Sequence, residues 1–260
     1  CTDWRELYGP ARAVQTGAMP TDALLARFLD ALAPVDPVAV WAHGSLAGGD
    51  YQEGRSDLDL IAVLPSPVRP TTVRTVVSLH RRLRAEPLAD KLHCSCLTPD
   101  TLDDAGRRHL TWAHGHVMRR TVTPVTRREL HAFGRVLRGA SPAGVLPPVP
   151  DGVLAEFVVR DQRDYWRPAV DRARLWTQDI WVDLGLITFA RAGVTLREGR
   201  LVSKREALEL LPGLGAPVEV VEDIRRRRYD EPAAPPTDGW TARRSALTRS
   251  YLGPAIDELV

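Results

Sequence analysis

Val38-Ala39-Val40-Trp41-Ala42-His43-Gly44-Ser45, followed after a spacer of eleven residues by Asp57-Leu58-Asp59-Leu60-Ile61, is the stretch that decides how this chain of 260 residues folds. An apolar run leads into Gly-Ser, and a second apolar run carries two aspartates at i and i+2. Successive side chains on a strand alternate faces, so Asp57 and Asp59 project together, about 6–7 Å apart along the strand, while Leu58 and Leu60 project oppositely. Paired carboxylates at that spacing suit a hard divalent cation, which takes oxygen ligands and bridges to phosphates. Gly44 permits close backbone approach, and the turn after it offers amide N–H groups and the Ser45 hydroxyl to phosphate oxygens. A metal pair beside a phosphate cradle suits in-line displacement at phosphorus. The competing reading is a plain Gly-Ser turn and an exposed Asp-x-Asp strand edge.

Outward from that stretch, residues 21–33 have helical spacing, with Thr21 or Asp22 as N-cap and Pro34 and Pro37 as stops. Strands are predicted over 38–43, 58–64 (closed by Pro65 and Pro67) and 91–97 (ended by Thr98-Pro99). A short helix follows Ser45, and an amphipathic helix spans 71–85, with Val73, Val76, Val77, Leu79 and Leu83 as its apolar face. The alternation predicts an α/β (α+β) N-terminal part, a small mixed sheet flanked by helices. The Pro/Gly/Ser spacing of Gly139 to Pro150 cannot continue a helix and reads as a linker or a wrapped loop. Beyond it the pattern is helical: 153–165, broken before Pro168; 170–192, with Ala173, Trp176, Ile180, Trp181, Leu184, Ile187 and Phe189 on one side, ending near Gly193; then 204–211, 218–227 and 242–252, with a Pro-rich loop at 230–239. The predicted organisation is a domain at 1–138, a linker at 139–150 and an all-α bundle at 151–260.

Composition narrows the classes. A formal charge of +2 supplies no long-range field, and the basic residues are nearly all arginine, Lys91 and Lys204 being the lysines. No basic strip interleaved with aromatics marks a nucleic-acid surface, and Arg225 to Arg228 read as a solvated helix end. No run of eighteen apolar residues exists, and the start lacks a charged segment followed by an apolar stretch, so neither membrane span nor leader is expected and a cytoplasmic monomer is. Because the chain begins at Cys1 rather than Met, a few residues are expected to precede it. Cys94 and Cys96 share a strand face, poorly placed to bridge each other, with His93 on the opposite face; small buried thiols are expected.

Gly44-Ser45, the spacer and Asp57-x-Asp59 together resemble the signature of the DNA polymerase β-like nucleotidyltransferases. Asp179-Ile-Trp-Val-Asp183-Leu-Gly-Leu-Ile-Thr188-Phe-Ala-Arg191, then Gly193 through Lys204-Arg-Glu-Ala207, is similar to the helical domain of the streptomycin/spectinomycin adenylyltransferases, whose members carry a Leu-Thr-x-Ala-Arg helix and a Gly-x-x-Val-x-Lys turn. The resemblance implies transfer of a nucleoside monophosphate, AMP from ATP, onto a hydroxyl of a small acceptor such as an aminoglycoside. It places Mg²⁺ (two ions) on Asp57 and Asp59, and nucleotide phosphates against Gly44, Ser45 and Ser56. Lys204 matches the family's phosphate-contacting turn lysine; otherwise it is a surface residue opening a helix. Trp176, Asp179 and Asp183 become candidates for binding a cationic acceptor. Asp179 and Asp183, at i and i+4, share a helix face, and their repulsion calls for a cation, whether ligand or arginine. Trp112 lies where the streptomycin group also has a tryptophan near the cleft, or packs in the core.

The family's third carboxylate, a glutamate acting as general base, falls at His93 in Lys91-Leu92-His93-Cys94-Ser95-Cys96-Leu97. Neutral imidazole can accept a proton but binds Mg²⁺ poorly. His93 is therefore a catalytic base or the mark of a site that holds nucleotide without turnover. Asp90 and Glu86 lie before the strand. The alternative to a small-molecule enzyme is a nucleotide-binding protein of the same fold, or one that nucleotidylates a protein.

Overall fold

The computed structural model describes residues 19–65, 69–230 and 236–260. Cys1, Pro67 and residues 231–235 of the Pro-rich loop lie outside the described residues. The order of elements is α1 (Pro20–Leu32), β1 (Ala39–Ala42), α2 (Gly44–Ala47), β2 (Leu58–Val63), α3 (Pro70–Leu83), β3 (Leu92–Leu97), β4 (Arg108–Ala113), β5 (His116–Thr121), α4 (Pro124–Phe133), β6 (Arg135–Gly139) and α5 (Pro142–Val145), then α6 (Asp151–Asp161), α7 (Arg167–Val170), α8 (Asp179–Glu198), α9 (Lys204–Leu210), α10 (Val218–Tyr229) and α11 (Asp238–Leu259).

The strands form one six-stranded mixed sheet in the order β5-β4-β3-β2-β1-β6. Only β2 and β3 run parallel, joined through α3, and the other pairings are antiparallel. Alternation along β2 divides the core. Leu58, Leu60 and Ala62 face α1 and α3 and pack with Phe28, Leu79 and Cys94, whereas Ile61 and Val63 join Trp41, Leu97 and Leu130 on the other face. Asp59 shares the second face, at the strand end where the apolar filling gives way to the cleft.

Strands β4, β5 and β6 and helix α4 were not predicted. Strand β5 is mostly exposed, and β6 likewise, so neither carries the alternation that marks a half-buried strand. The predicted linker is strapped to the sheet: Gly139 ends β6, Trp41 Nε1 donates to the Ala140 carbonyl at 2.7 Å, and Leu146 is buried in the Trp41 cluster.

In the helical half the expected break before Pro168 is absent. Residues 162–166 form a π turn, and α7 carries Pro168 near its start. A wider turn absorbs the missing N–H and the steric demand of a proline within a helix. The helix predicted over 170–192 instead begins at Asp179, after an extended Gln178, and runs past Gly193 to Glu198. Trp176 therefore sits in a separate short turn, fully buried, its indole N–H donating to the Ala169 carbonyl at 2.8 Å. A Cβ on Gly185 would stand 2.6 Å from its ring, so that glycine lets α8 pass close. Both Cys94 and Cys96 are buried free thiols. Among the described residues, no helix is long and apolar enough to cross a membrane.

Candidate active site

A cleft of about 510 Å³ lies between the sheet and the helices, with Gly44, Ser45 and Asp59 on one wall and Arg191, Ser203 and Lys204 on the other. Gly44 opens α2 at a φ of +62°, and a Cβ there would come within 2.9 Å of Asp59 Oδ2. Absence of a side chain thus satisfies both the left-handed backbone and the approach of the carboxylate. Burial works to raise the Asp59 pKa, but His93, His43 and Lys204 outweigh it and hold the carboxyl below its ordinary value. Asp59 is thereby an ionised group at the cleft wall.

Asp59 and His93 are direct neighbours across the parallel pair. His93 Nδ1 stands 3.5 Å from Asp59 Oδ1 and 3.9 Å from Asp57 Oδ2, so the structure brings together the three residues assigned to catalysis. Its Nε2 is buried without a hydrogen-bond partner, and the ring of His114 meets the His93 ring edge-on at 4.4 Å. His114 and Gly115, both at positive φ, form the β4–β5 hairpin turn that carries the imidazole there. Among the described residues, no group of three or more His, Cys, Asp or Glu side chains is arranged to enclose a metal ion. Two ionisable aspartates fit a cation that keeps waters and phosphate oxygens as its remaining ligands, as Mg²⁺ does.

The far wall comes from the helical half. Lys204 is the first residue of α9, behind the Ser203 N-cap, whose hydroxyl accepts from Glu206 N at 3.0 Å. Burial, chiefly, and Arg228 push the lysine pKa down while Asp59 pulls it up. Three residues to which the sequence assigned no role complete the site. Glu129 of α4 accepts from Arg191 Nη2 at 2.8 Å and lies 3.3 Å from His43 Nδ1. Against burial, which would raise it, His43 and Arg191 hold the Glu129 carboxyl low. Against burial, which would lower it, Glu129 and Asp59 raise the His43 pKa. Such pairs lie 62 and 86 residues apart, and no local spacing signals them.

Several assigned residues are placed elsewhere. Ser56 is buried, its hydroxyl accepting from Gln52 N at 3.0 Å inside the loop before β2, and it does not line the cleft. Trp112 pairs with Cys94 and so projects to the α1/α3 face, opposite Asp59, where it stacks on His80 at 4.7 Å. Trp176 belongs to the helical core. Asp179 and Asp183 already have cations: Arg244 Nη2 donates to Asp179 at 2.6 Å, and Arg227 pairs with both Asp183 and Asp223. Of the two cations the sequence left open for this pair, the structure supplies the arginine. Arg227 is accordingly a structural counter-ion and not part of a solvated helix end.

Fold and site together define a class. Residues 24–98 match the family model of the nucleotidyltransferase domain. The matched segment is thus similar to a nucleotidyltransferase domain, and a helical region continues the chain beyond it. The whole architecture is similar to that of a spectinomycin adenyltransferase, AAD(9), from Enterococcus faecialis, whose crystal structure is with ATP and spectinomycin. That likeness covers 91% of this chain and 98% of the other, with a TM-score of 0.68 at 15% sequence identity, and so speaks for the fold. No curated protein matches the sequence.

Proposed function

We propose that the protein is a Mg²⁺-dependent nucleotidyltransferase that moves AMP from ATP onto a hydroxyl of a small molecule. The observation that carries this reading is the convergence of Gly44, Ser45 and Asp59 with Arg191 and Lys204 on a single cleft drawn from both halves of the chain. The Gly44–Ser45 turn supplies amide and hydroxyl donors to phosphate oxygens, and Lys204 adds a point charge from the opposite wall. Asp57 and Asp59 would hold Mg²⁺, which would supply charge neutralisation on the triphosphate. His93, beside Asp59, is the imidazole that takes up the acceptor's hydroxyl proton. The acceptor oxygen bonds to the α-phosphorus as the bond to the β-phosphate oxygen breaks, and pyrophosphate leaves.

Aminoglycosides are the first acceptors to test, although Asp179 and Asp183 are committed to arginines. Purified protein with Mg²⁺, each of the four NTPs and a panel including streptomycin and spectinomycin is expected to release pyrophosphate only with an acceptor present. Asp57→Ala is expected to lose that release and the Mg²⁺ dependence of ATP binding together, and retained turnover sinks the mechanism. His93 in place of a third carboxylate favours one other reading, a site that holds nucleotide without turnover. An increase in activity in His93→Glu, with no change in His93→Ala, would establish it.

A further inference from the structure

Beside Arg191 a second recess opens, about 60 Å³ in volume, sharing Val125, Arg191 and Leu201 with the main cleft. Its remaining walls mix the apolar Phe157, Val158 and Ala192 with the polar Asp161, Gln162, Thr188 and Thr195. Gln162 stands out among the polar members. Gln162 is 1% exposed, and neither its Nε2 nor its Oε1 has a hydrogen-bond partner among the described residues. A buried amide left so is destabilising, and a leucine would fill the place without that cost. Gln162 is also the first residue of the π turn 162–166, a local widening found often at functional positions.

Resting on the function proposed above, we infer that Gln162 reads the base of the bound nucleotide, its amide pairing at two points with the amino group and adjacent ring nitrogen of adenine. Oε1 accepts from the amino group while Nε2 donates to the ring nitrogen, the arrangement by which glutamine recognises adenine elsewhere. Guanine offers two acceptors along the corresponding edge and satisfies only half of the amide. The recess is small beside the 510 Å³ cleft, so it takes the edge of the base, with the ribose and phosphates lying in the cleft. Val125, Phe157 and Val158 flank the amide with apolar surface, so a mismatched base leaves half of it unpaired.

The test is calorimetric binding, with Mg²⁺, of α,β-methylene ATP against the same triphosphate of purine riboside, which lacks the amino group, with inorganic tripolyphosphate as a third probe. The wild-type protein is expected to prefer the adenine nucleotide by about tenfold or more. Gln162→Leu is expected to bring that ratio to about one with tripolyphosphate affinity unchanged; Gln162→Met, of similar length, replaces it if the leucine variant does not fold. A wild-type ratio near one overturns the assignment without any variant, as does a folded variant that keeps the wild-type preference, which would make Gln162 a water-paired core residue. If neither nucleotide nor tripolyphosphate binds the wild-type protein, the proposed function falls, and this assignment with it.

Discussion

At Gly44 a hydrogen in place of a side chain serves two demands at once, a backbone φ of +62° and a carboxylate oxygen 2.9 Å from where Cβ would stand. Gly44→Ala is therefore expected to destabilise the fold by about 1 kcal/mol or more, read as a lower urea midpoint, and to cut turnover by at least about tenfold. Arg227 poses the opposite case, a long side chain whose charge answers Asp183 and Asp223, both largely buried. Arg227→Ala strips the paired arginine from Asp183 and leaves Asp223 to Arg244, and is expected to cost about 3 kcal/mol in urea unfolding, with Arg227→Lys intermediate because an ammonium cannot fork between the two carboxylates. A wild-type midpoint in either variant would deny these contacts their role.

Helix α3 shows how an element can carry a pH dependence unconnected with the cleft. His80 on that helix is 2% exposed, stacked on Trp112 of β4, and burial depresses its pKa to about 3 from an ordinary 6.5. The folded protein keeps this imidazole neutral while the unfolded chain protonates it. The stability it contributes is thus present above pH 6.5 and is lost as pH falls from there toward 3. His80→Phe, which keeps the stacked ring, is expected to flatten the loss of stability between pH 6 and pH 4, where each pH unit is worth about 1.4 kcal/mol from one such group. An unchanged acid limb would assign the acid sensitivity to other residues.

The same elements show what a sequence discloses. Strands β1, β2 and β3 were legible because their apolar runs end at turn residues, and Gly44, Ser45, Asp57 and Asp59 stood out as candidates because they lie at the ends of two adjacent strands. His93 was reached only through the family resemblance, and the parallel register that sets it beside Asp59 is a finding of the structure. Strands β5 and β6 were not, since sheet edges in water need no alternating pattern, and arginine occupies two places in each. For Trp112 the structure takes the core position that the sequence left open beside the cleft, and Trp176 packs within the helical core. Which way a tryptophan faces depends on strand parity and on where a helix begins, and one residue of error reverses it. Glu129, His43 and Arg191 acquire meaning only when α4 and α8 are folded against each other.

Asp50 joins the halves of the molecule. Its backbone N–H donates to Ser45 O at 3.0 Å, tying it to the phosphate turn. Its buried carboxylate accepts from Arg205 N at 3.1 Å and Tyr229 Oη at 2.9 Å, so a residue of the sheet domain caps α9 beside Lys204. Asp50→Ala leaves those donors bare. It is expected to lower stability by about 1–3 kcal/mol and to weaken ATP binding through displacement of Lys204, measured by urea unfolding and calorimetry. An unaltered ATP affinity would show that α9 holds its place without the latch.

The latch has a practical corollary. Cut between Pro150 and Asp151, the chain would yield two fragments that each expose a partner of the other: Asp50 and Glu129 on one, Arg205 and Arg191 on the other. Co-expressed and fused to the halves of a luciferase, such fragments would rejoin most readily when a triphosphate bridges both walls. Light output would then track the ligand, and the protein's own seam would become a sensor for whatever the cleft accepts.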